Sequence, residues 1–406
     1  MLIVQKYGGT SVGSPERIKE VAKRVARCKN EGNDVAVIVS AMSGVTDSLI
    51  AKAYEISQTP SNHDMDILLS SGEIVSASLT AMAIETFGFK SIAFTGSQAG
   101  IITDNCHTKA KITKVDTKRV AKAISEGYVP VIAGFQGVTD DLIDITTLGR
   151  GGSDLSAVAV AEALKADLCE IYTDVDGVYT TDPNIVKDAR KLEKISYEEM
   201  LELASLGAKV LQSRSVEFAK NYNVKVVVRS SFTDDPGTLI VKEDSIMEQV
   251  VVSGVAYDKK QARITIHGVP DRPGIAALLF TAIANENIVV DMIVQNISIE
   301  GTITDISFTV PKTDISKAME VSKKIAKELK AAEVLLNEDI AKISVVGVGM
   351  RTHSGVAAKI FKILSENNIN IMMISTSEIK VSCIVDLKYT ELAVRVLHDA
   401  FELNKI

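Results

Sequence analysis

Cysteine is scarce: four residues in 406, Cys28, Cys106, Cys169 and Cys383, lie far apart and form no C-x-x-C pair. A disulfide framework is therefore not expected, and a reduced cytosol is the simplest setting. The five histidines make no ligand pair at helical spacing, which leaves a structural zinc site without support. No long basic run occurs and the formal net charge is -7, so nucleic acid and anionic membrane are excluded as main partners. The N-terminus, MLIVQKYGG, lacks the charged region and long apolar core of a signal peptide. No apolar run is read as long enough to span a bilayer, and a soluble, cytoplasmic protein is expected. The two commonest nucleotide-loop signatures, GxxxxGK[ST] and GxGxxG, are also missing.

What is present is ordinarily globular, with 46% hydrophobic and 24% charged residues and enough length for two or three domains. Leu2–Gln5 reads as a buried strand, and Ser14-Pro15 as the start of a helix with Ile18, Val21, Ala22 and Val25 inward. DVAVIVS at 34–40 is a continuous apolar strand, the pattern of a parallel sheet covered on both faces. Helix is expected from about Met65 to Phe87, interrupted near Ser71-Gly72-Glu73. Strands follow at Ser91–Thr95, Val129–Phe135, Asp167–Tyr172 and Val224–Val228, with a hairpin turn at Thr139-Asp140-Asp141 and a helix near Tyr197–Leu211. Pro236-Gly237 punctuates the close of this region. Such alternation predicts an α/β sandwich whose ligands sit beyond the carboxyl ends of parallel strands.

Beyond Met247 a repeat appears. RITIHGV at 263–269 matches KISVVGV at 342–348, placing Gly268 and Gly347 79 residues apart, and Asn287-Ile288 echoes Asn368-Ile369 at 81. Each copy reads as a ferredoxin-type βαββαβ unit, and the shared register supports two in tandem.

One stretch carries the chemistry, TTLGRGGSDLSAVAVAEAL at 146–164. Gly149, Gly151 and Gly152 flank Arg150, and Ser153 or Asp154 is expected to cap the helix that follows. A tight turn is the plain alternative, but an arginine fork inside a glycine turn favours a bound carboxylate or phosphate. Three more loops belong with it: Lys6–Ser11, Ser40–Thr46 and Thr173–Pro183. A lysine closing a buried strand before two glycines can set its ammonium against a phosphate. In the last loop Asp174, Asp176 and Asp182 crowd together without the later glutamate of a calcium loop; a D-G turn with solvated carboxylates is the plain alternative, and beside phosphates magnesium suits them better than calcium.

These segments carry a family resemblance. KYGGTSV at 6–12, SGE at 71–73, LGRGGSDLSA at 148–157, YTDVDGVYTTDP at 172–183 and EMLELASLGAKVL at 199–211 together resemble the aspartokinases, and the repeats resemble paired ACT domains. The resemblance implies an amino-acid-kinase three-layer α/β/α sandwich with a mostly parallel sheet over residues 1–245. Two ferredoxin-like ACT domains would follow at 263–338 and 339–406, with 246–262 a junction able to add a strand to the pair. It implies phosphorylation of L-aspartate by ATP and Mg2+ to 4-phospho-L-aspartate, the first step toward lysine, threonine and methionine.

By the same resemblance, Lys6 with Gly8 and Gly9 holds the phosphoryl group and Asp154 organises the lysine. Arg150 clamps the α-carboxylate with Ser40, Thr46 and Ser153 beside it, and Glu73 takes the α-ammonium. Thr173, Asp174, Tyr179 and Asp182 line the nucleotide site, and Lys209 reaches the phosphates. Asn184 departs from the pattern, since many relatives carry arginine there. The turn Asp271–Ala276 offers helix N-terminal amides at Gly274, Ile275 and Ala276 to an effector's α-carboxylate, and Asp271 an anion to its ammonium. Gln295 and Asn296 would close over it, with lysine, threonine or both as effectors. A homodimer or larger assembly through the ACT domains is implied, and Met247 stands where a separate regulatory chain would start. The competing readings are an amino-acid sensor with an inert kinase domain and a kinase for another acidic amino acid.

Overall fold

The computed structural model describes residues 1–205, 210–243, 251–296 and 303–405. The chain divides into two compact units, Met1–Tyr179 with Lys191–Ser245, and Thr180–Arg190 with Ile246–Ile406.

The first unit is organised by an eight-stranded sheet whose spatial order is Lys194–Ser196, Thr238–Val241, Val226–Ser230, Leu168–Thr173, Leu2–Tyr7, Asp34–Val39, Val129–Ala133 and Ser91–Phe94. Every neighbouring pair is parallel except Val226–Ser230 against Thr238–Val241. Helices alternate with these strands: α1 (Pro15–Asn30), α2 (Val45–Ile56), α3 (Asn62–Glu85), α4 (Lys118–Ser125), α5 (Gly152–Ala163), α6 (Tyr197–Ser205) and α7 (Ser213–Tyr222). At the start of α1, Ser14 Oγ accepts from the Arg17 N–H at 3.3 Å with Pro15 in the first position, as the sequence predicts. Val21 and Val25 of α1 and Ala77 and Ala81 of α3 pack on Ile3, Val35, Val37 and Val39, while α5 and α7 pack together beyond the alternate residues. The result is the expected three-layer α/β/α sandwich.

Several features differ from the sequence reading. Helix α3 runs unbroken through Ser71-Gly72-Glu73, because the Ser70 and Ser71 hydroxyls donate to carbonyls three residues back without leaving the helical path. It is also long and apolar enough to cross a membrane, with a mean hydropathy of 1.6, contrary to the expectation that no run reaches that length. Its Asp66, Ser70, Glu73, Ser76 and Thr80 are nevertheless buried against protein, the signature of a core helix. Finally, the chain does not close at Pro236-Gly237 but adds the antiparallel strand Thr238–Val241. A small sheet of Ile112–Val115, Ile101–Thr103, Gln136–Thr139 and Ile145–Thr147 contains the expected hairpin and two unforeseen strands.

In the second unit the first repeat is a complete βαββαβ: Gln261–Pro270, Ile275–Asn285, Ile293–Gln295, Ile303–Pro311, Ile315–Leu329 and Glu333–Asn337. Its four strands form one antiparallel sheet over a core of Ile264, Leu279, Phe308 and Ile325. The second repeat, Ile340–Val346 through the helix Thr390–Ala400, is one strand short among the described residues. Gly254–Asp258, which precedes the first repeat, fills that place, with Gly254 opposite Val346 and Asp258 opposite Lys342. Thr180–Arg190 also belongs to this unit: Val255 N–H donates to the Thr180 carbonyl at 2.8 Å, and Val186 joins the core of the second repeat.

Candidate active site

Parallel pairing of Leu2–Tyr7 with Asp34–Val39 on one side and Leu168–Thr173 on the other aligns their carboxyl ends, so three of the expected loops emerge side by side. Lys6 lies in the buried strand, and its Nζ reaches Asp154 Oδ1 at 2.6 Å with both side chains about nine-tenths buried. Asp154 sits in the first turn of α5, but neither it nor Ser153 caps the helix. Gly151 takes the cap position at φ 75°, a left-handed conformation, and a Cβ there would meet the Gln212 side chain at 2.7 Å. The capping expectation is corrected accordingly: the helix is capped two residues before Ser153 and three before Asp154, which leaves the Asp154 carboxylate to the lysine.

The Gly8 amide does not stand free for a phosphoryl group. It donates to the Tyr172 carbonyl at 3.2 Å, continuing the sheet ladder, whereas Gly9 follows where the chain leaves the sheet. Ser40 begins the next loop, its N–H donating to the Tyr7 carbonyl at 3.0 Å, and Thr46 lies in the first turn of α2.

Glu73 is almost wholly buried. The Ala41 N–H donates to its Oε1 at 3.1 Å, and its Oε2 has no partner among the described residues. Gly72 makes this approach possible, since a Cβ there would meet the Ala41 Cβ at 2.9 Å. Burial pushes the Glu73 carboxyl up to about 7, with the Ala41 amide opposing the shift. A buried carboxylate oxygen without a donor is a receptor for a cation. Arg150 is exposed at the crest of the glycine turn, and its carbonyl accepts from Gln212 Nε2 at 2.7 Å.

Thr173 ends its strand with Oγ1 donating to Asp174 Oδ1 at 3.0 Å, and Asp174 is exposed. The Tyr179 hydroxyl donates to Asp176 Oδ1 at 2.9 Å. Asp176 also lies 3.6 Å from Lys191 Nζ, which forms a closer pair with Asp235. Asp182 falls in the second unit, where the Tyr257 hydroxyl donates to one oxygen at 2.8 Å and the Asn184 backbone and side-chain N–H groups donate to the other at 2.9 Å. Burial would raise its pKa, but those donors hold it below the usual carboxylate value. Lys209 and Met247 lie outside the described residues.

Sequence reading missed a buried network beneath these loops. Glu170 accepts from Gln5 Nε2 at 2.9 Å and from the Tyr172 hydroxyl at 3.1 Å, and pairs with Arg229 at 3.1 Å. The Tyr7 and Tyr172 rings stack above it at 4.7 Å. Alternation along the strands was the available signal, since Gln5, Tyr7, Glu170 and Tyr172 share one face of adjacent parallel strands.

In the second unit, Gly274 opens its helix at φ 97° with Ile275 buried and Ala276 exposed. Asp271 lies in the turn before it. Gln295 ends the edge strand Ile293–Gln295, and the Asn296 N–H donates to the Asp305 carbonyl at 3.2 Å. One strand, Ile303–Pro311, lies between the strand that leads into Asp271 and the strand that ends at Gln295.

The sequence matches the model of the amino acid kinase family over residues 1–230 and an ACT domain model over 264–324 and 343–401. An aspartokinase from Helicobacter pylori is 54% identical over 409 residues, covering 100% of both chains. An aspartate kinase from Stutzerimonas stutzeri is 53% identical over 404 residues, covering 99% of this chain and 98% of its own. The chain belongs to the aspartokinase family. A crystal structure of Escherichia coli aspartokinase III in complex with aspartate and ADP superposes with a TM-score of 0.81 at 26% identity, covering 98% of this chain and 99% of that one. The same protein in complex with lysine and aspartate gives a TM-score of 0.76. Both family-level expectations, a kinase fold and paired ACT repeats, are met.

Proposed function

We propose that the chain transfers the γ-phosphoryl group of Mg-ATP to the side-chain carboxylate of L-aspartate, as the first step toward lysine, threonine and methionine. The observation that carries this reading is Glu73, whose unpartnered buried oxygen suits an α-ammonium. Arg150 supplies a planar fork for the α-carboxylate at the same end of the sheet. Held at both ends of its head group, the amino acid turns its side chain toward Lys6.

The attacking carboxylate has an ordinary pKa of about 3.9 and needs no base at neutral pH. An oxygen of that carboxylate bonds to phosphorus as the bond to the ADP oxygen breaks, so the protein's task is positioning and neutralising charge. Lys6 is suited to the transferring phosphoryl oxygens, with Asp154 fixing its ammonium. Of the two carboxylates just beyond Thr173, Asp176 is committed to Lys191 and Tyr179, so Asp174 is the one left for a magnesium ion through its waters.

Feedback control by lysine, threonine or both fits the glycine turn at Asp271–Ala276. The exposed edge strand Ile293–Gln295 supports self-association as a homodimer or larger assembly, and a cytoplasmic setting accords with three of four cysteines being buried and all free. The decisive assay is ADP release with Mg-ATP across a panel of amino acids. Turnover restricted to L-aspartate is expected; turnover with glutamate instead, or none with any amino acid, overturns the proposal.

A further inference from the structure

Asp66 is a fully buried carboxylate that none of the roles above employs. It lies on α3 seven residues before Glu73, two helical turns or about 10 Å along the axis and on the same buried side. Three donors converge on it. The Thr108 N–H reaches both oxygens at 3.1 Å, His107 Nδ1 reaches Oδ2 at 2.8 Å, and the Thr147 hydroxyl donates to Oδ1. A carboxylate that only accepts matches the His107 tautomer with its proton on Nδ1.

Each of these donors borders the arginine–glycine turn. Thr147 is the residue before Leu148-Gly149-Arg150, and its carbonyl accepts from the Ala110 N–H at 2.9 Å. Thr108 holds φ at 67°, a rare conformation for a β-branched residue, and its carbonyl crowds Gly149, where a Cβ would come within 3.2 Å. The opposite side of the turn is tied by Arg214, whose guanidinium donates to the Leu148 carbonyl at 2.7 Å and the Ala110 carbonyl at 3.0 Å. Arg150 is thus exposed at its tip yet set on a base clamped from two sides.

We infer that Asp66 is a positioning residue for aspartate binding: through Thr147 and Thr108 it fixes the Arg150 turn relative to Glu73, so one rigid helix sets the spacing between the two groups that grasp the amino acid's head. This rests on the assignment of Glu73 and Arg150 to the substrate's ammonium and carboxylate. It goes beyond that assignment by saying what sets their separation, since the buried polar partners of a site hold its geometry.

The test is steady-state kinetics of the full-length chain with Asp66→Ala, Asp66→Asn, Thr147→Val and Arg150→Ala, varying aspartate and Mg-ATP separately. Asp66→Ala should raise KM for aspartate about tenfold or more and Thr147→Val several-fold, with KM for Mg-ATP within about threefold. Asp66→Asn should restore most of the affinity, because its Oδ1 can accept from Thr147 and Thr108 while its amide donates to the other tautomer of His107. Equal rises in both KM values would show a merely structural role and overturn the inference. So would unchanged aspartate KM in Asp66→Ala and Thr147→Val while Arg150→Ala raises it. If Asp66→Ala does not fold, the aspartate-to-ATP split in Thr147→Val decides alone. An unchanged aspartate KM in Arg150→Ala would instead remove the assignment on which the inference rests.

Discussion

Of the left-handed glycines that open helices among the described residues, two are built to opposite specifications. Gly151 in the kinase unit and Gly274 in the first repeat both sit at the helix cap in the left-handed region, at φ 75° and 97°. Around Gly151 the space is full, with Gln212 where a Cβ would point, Arg214 and Asp66 gripping the flanking segments, and Lys6 paired to the first helical turn. Around Gly274 no described residue beyond its chain neighbours and own helix backbone lies within 4 Å of a Cβ, and Asp271 and Arg272 are open to solvent or half so. The first turn is preorganised, as chemistry on a transferring phosphoryl group demands. The second is open, as the effector site proposed above would require of a ligand whose binding shifts an equilibrium.

The largest effect should come from breaking the filled turn at its centre. Lys6→Ala and Asp154→Ala are expected to lower kcat by roughly a thousandfold or more, the scale of losing a preorganised electrostatic group. Circular dichroism should show both variants folded. A residual rate within tenfold of the parent would remove Lys6 from the chemistry.

Next in size is Arg150→Ala, which should cost about 10- to 100-fold in kcat/KM for aspartate, the range for a charge-assisted pair. Arg150→Lys should recover little of it, because a point charge does not reproduce a planar fork.

Glu73 gives a pH signature. Its carboxyl is raised to about 7 by burial, so the free protein is largely protonated below that pH and ionised above it. Only the ionised form receives an ammonium, and kcat/KM for aspartate should therefore rise with pH through about 7 and then level. Glu73→Gln should lose both the affinity and that inflection. Stability runs the other way. A carboxyl whose folded pKa is raised contributes fully below its unfolded value and loses that contribution as pH rises through about 7. Glu73→Gln should consequently be more stable than the parent at pH 8, by on the order of 1–3 kcal/mol for a shift of this kind. A parent as stable as the variant at that pH would contradict the buried, ionised state.

The smallest effects belong to the open turn. Gly274→Ala should cost only about 1 kcal/mol, the strain of a left-handed alanine, and leave the uninhibited rate within about twofold. Gly151→Ala should lower kcat/KM at least tenfold, because strain and collision coincide there. Asp271→Ala and Gln295→Ala should relieve inhibition by lysine or threonine while sparing the basal rate. Full sensitivity retained in both would disconnect this turn from the effector.

What could be read in the sequence was local. LGRGGSD points to the proposed anion site because its glycines, arginine and aspartate fall within seven residues, and the repeat announces itself through register. Helix α3 was misjudged because Gly72 looks like a breaker; its purpose is a close approach to Ala41, a contact 31 residues away. The pair Lys191–Asp235, the Glu170 network and the grip of Asp66 on Thr147 join residues 44 to 165 positions apart, and periodicity cannot register such pairings. The two unforeseen strands, Ile101–Thr103 and Ile112–Val115, are too short to show an alternation.

The strand Gly254–Asp258 has a consequence for how the C-terminal half must fold and be expressed. It completes the second repeat from a position upstream of the first, so the first repeat is an insertion nested inside the second. Closing that sheet brings Gly254 to Val346 across the whole intervening repeat, a high-contact-order step, whereas the first repeat has all six of its elements within Gln261–Asn337. The inserted repeat is positioned to form first and to act as the bracket that delivers the two distant strands to one another. A separately translated regulatory chain beginning at Met247 would carry the upstream strand. One beginning at Gln261 would keep both repeat sequences yet leave Ile340–Val346 as a bare edge, and aggregation rather than loss of helix would be its mark.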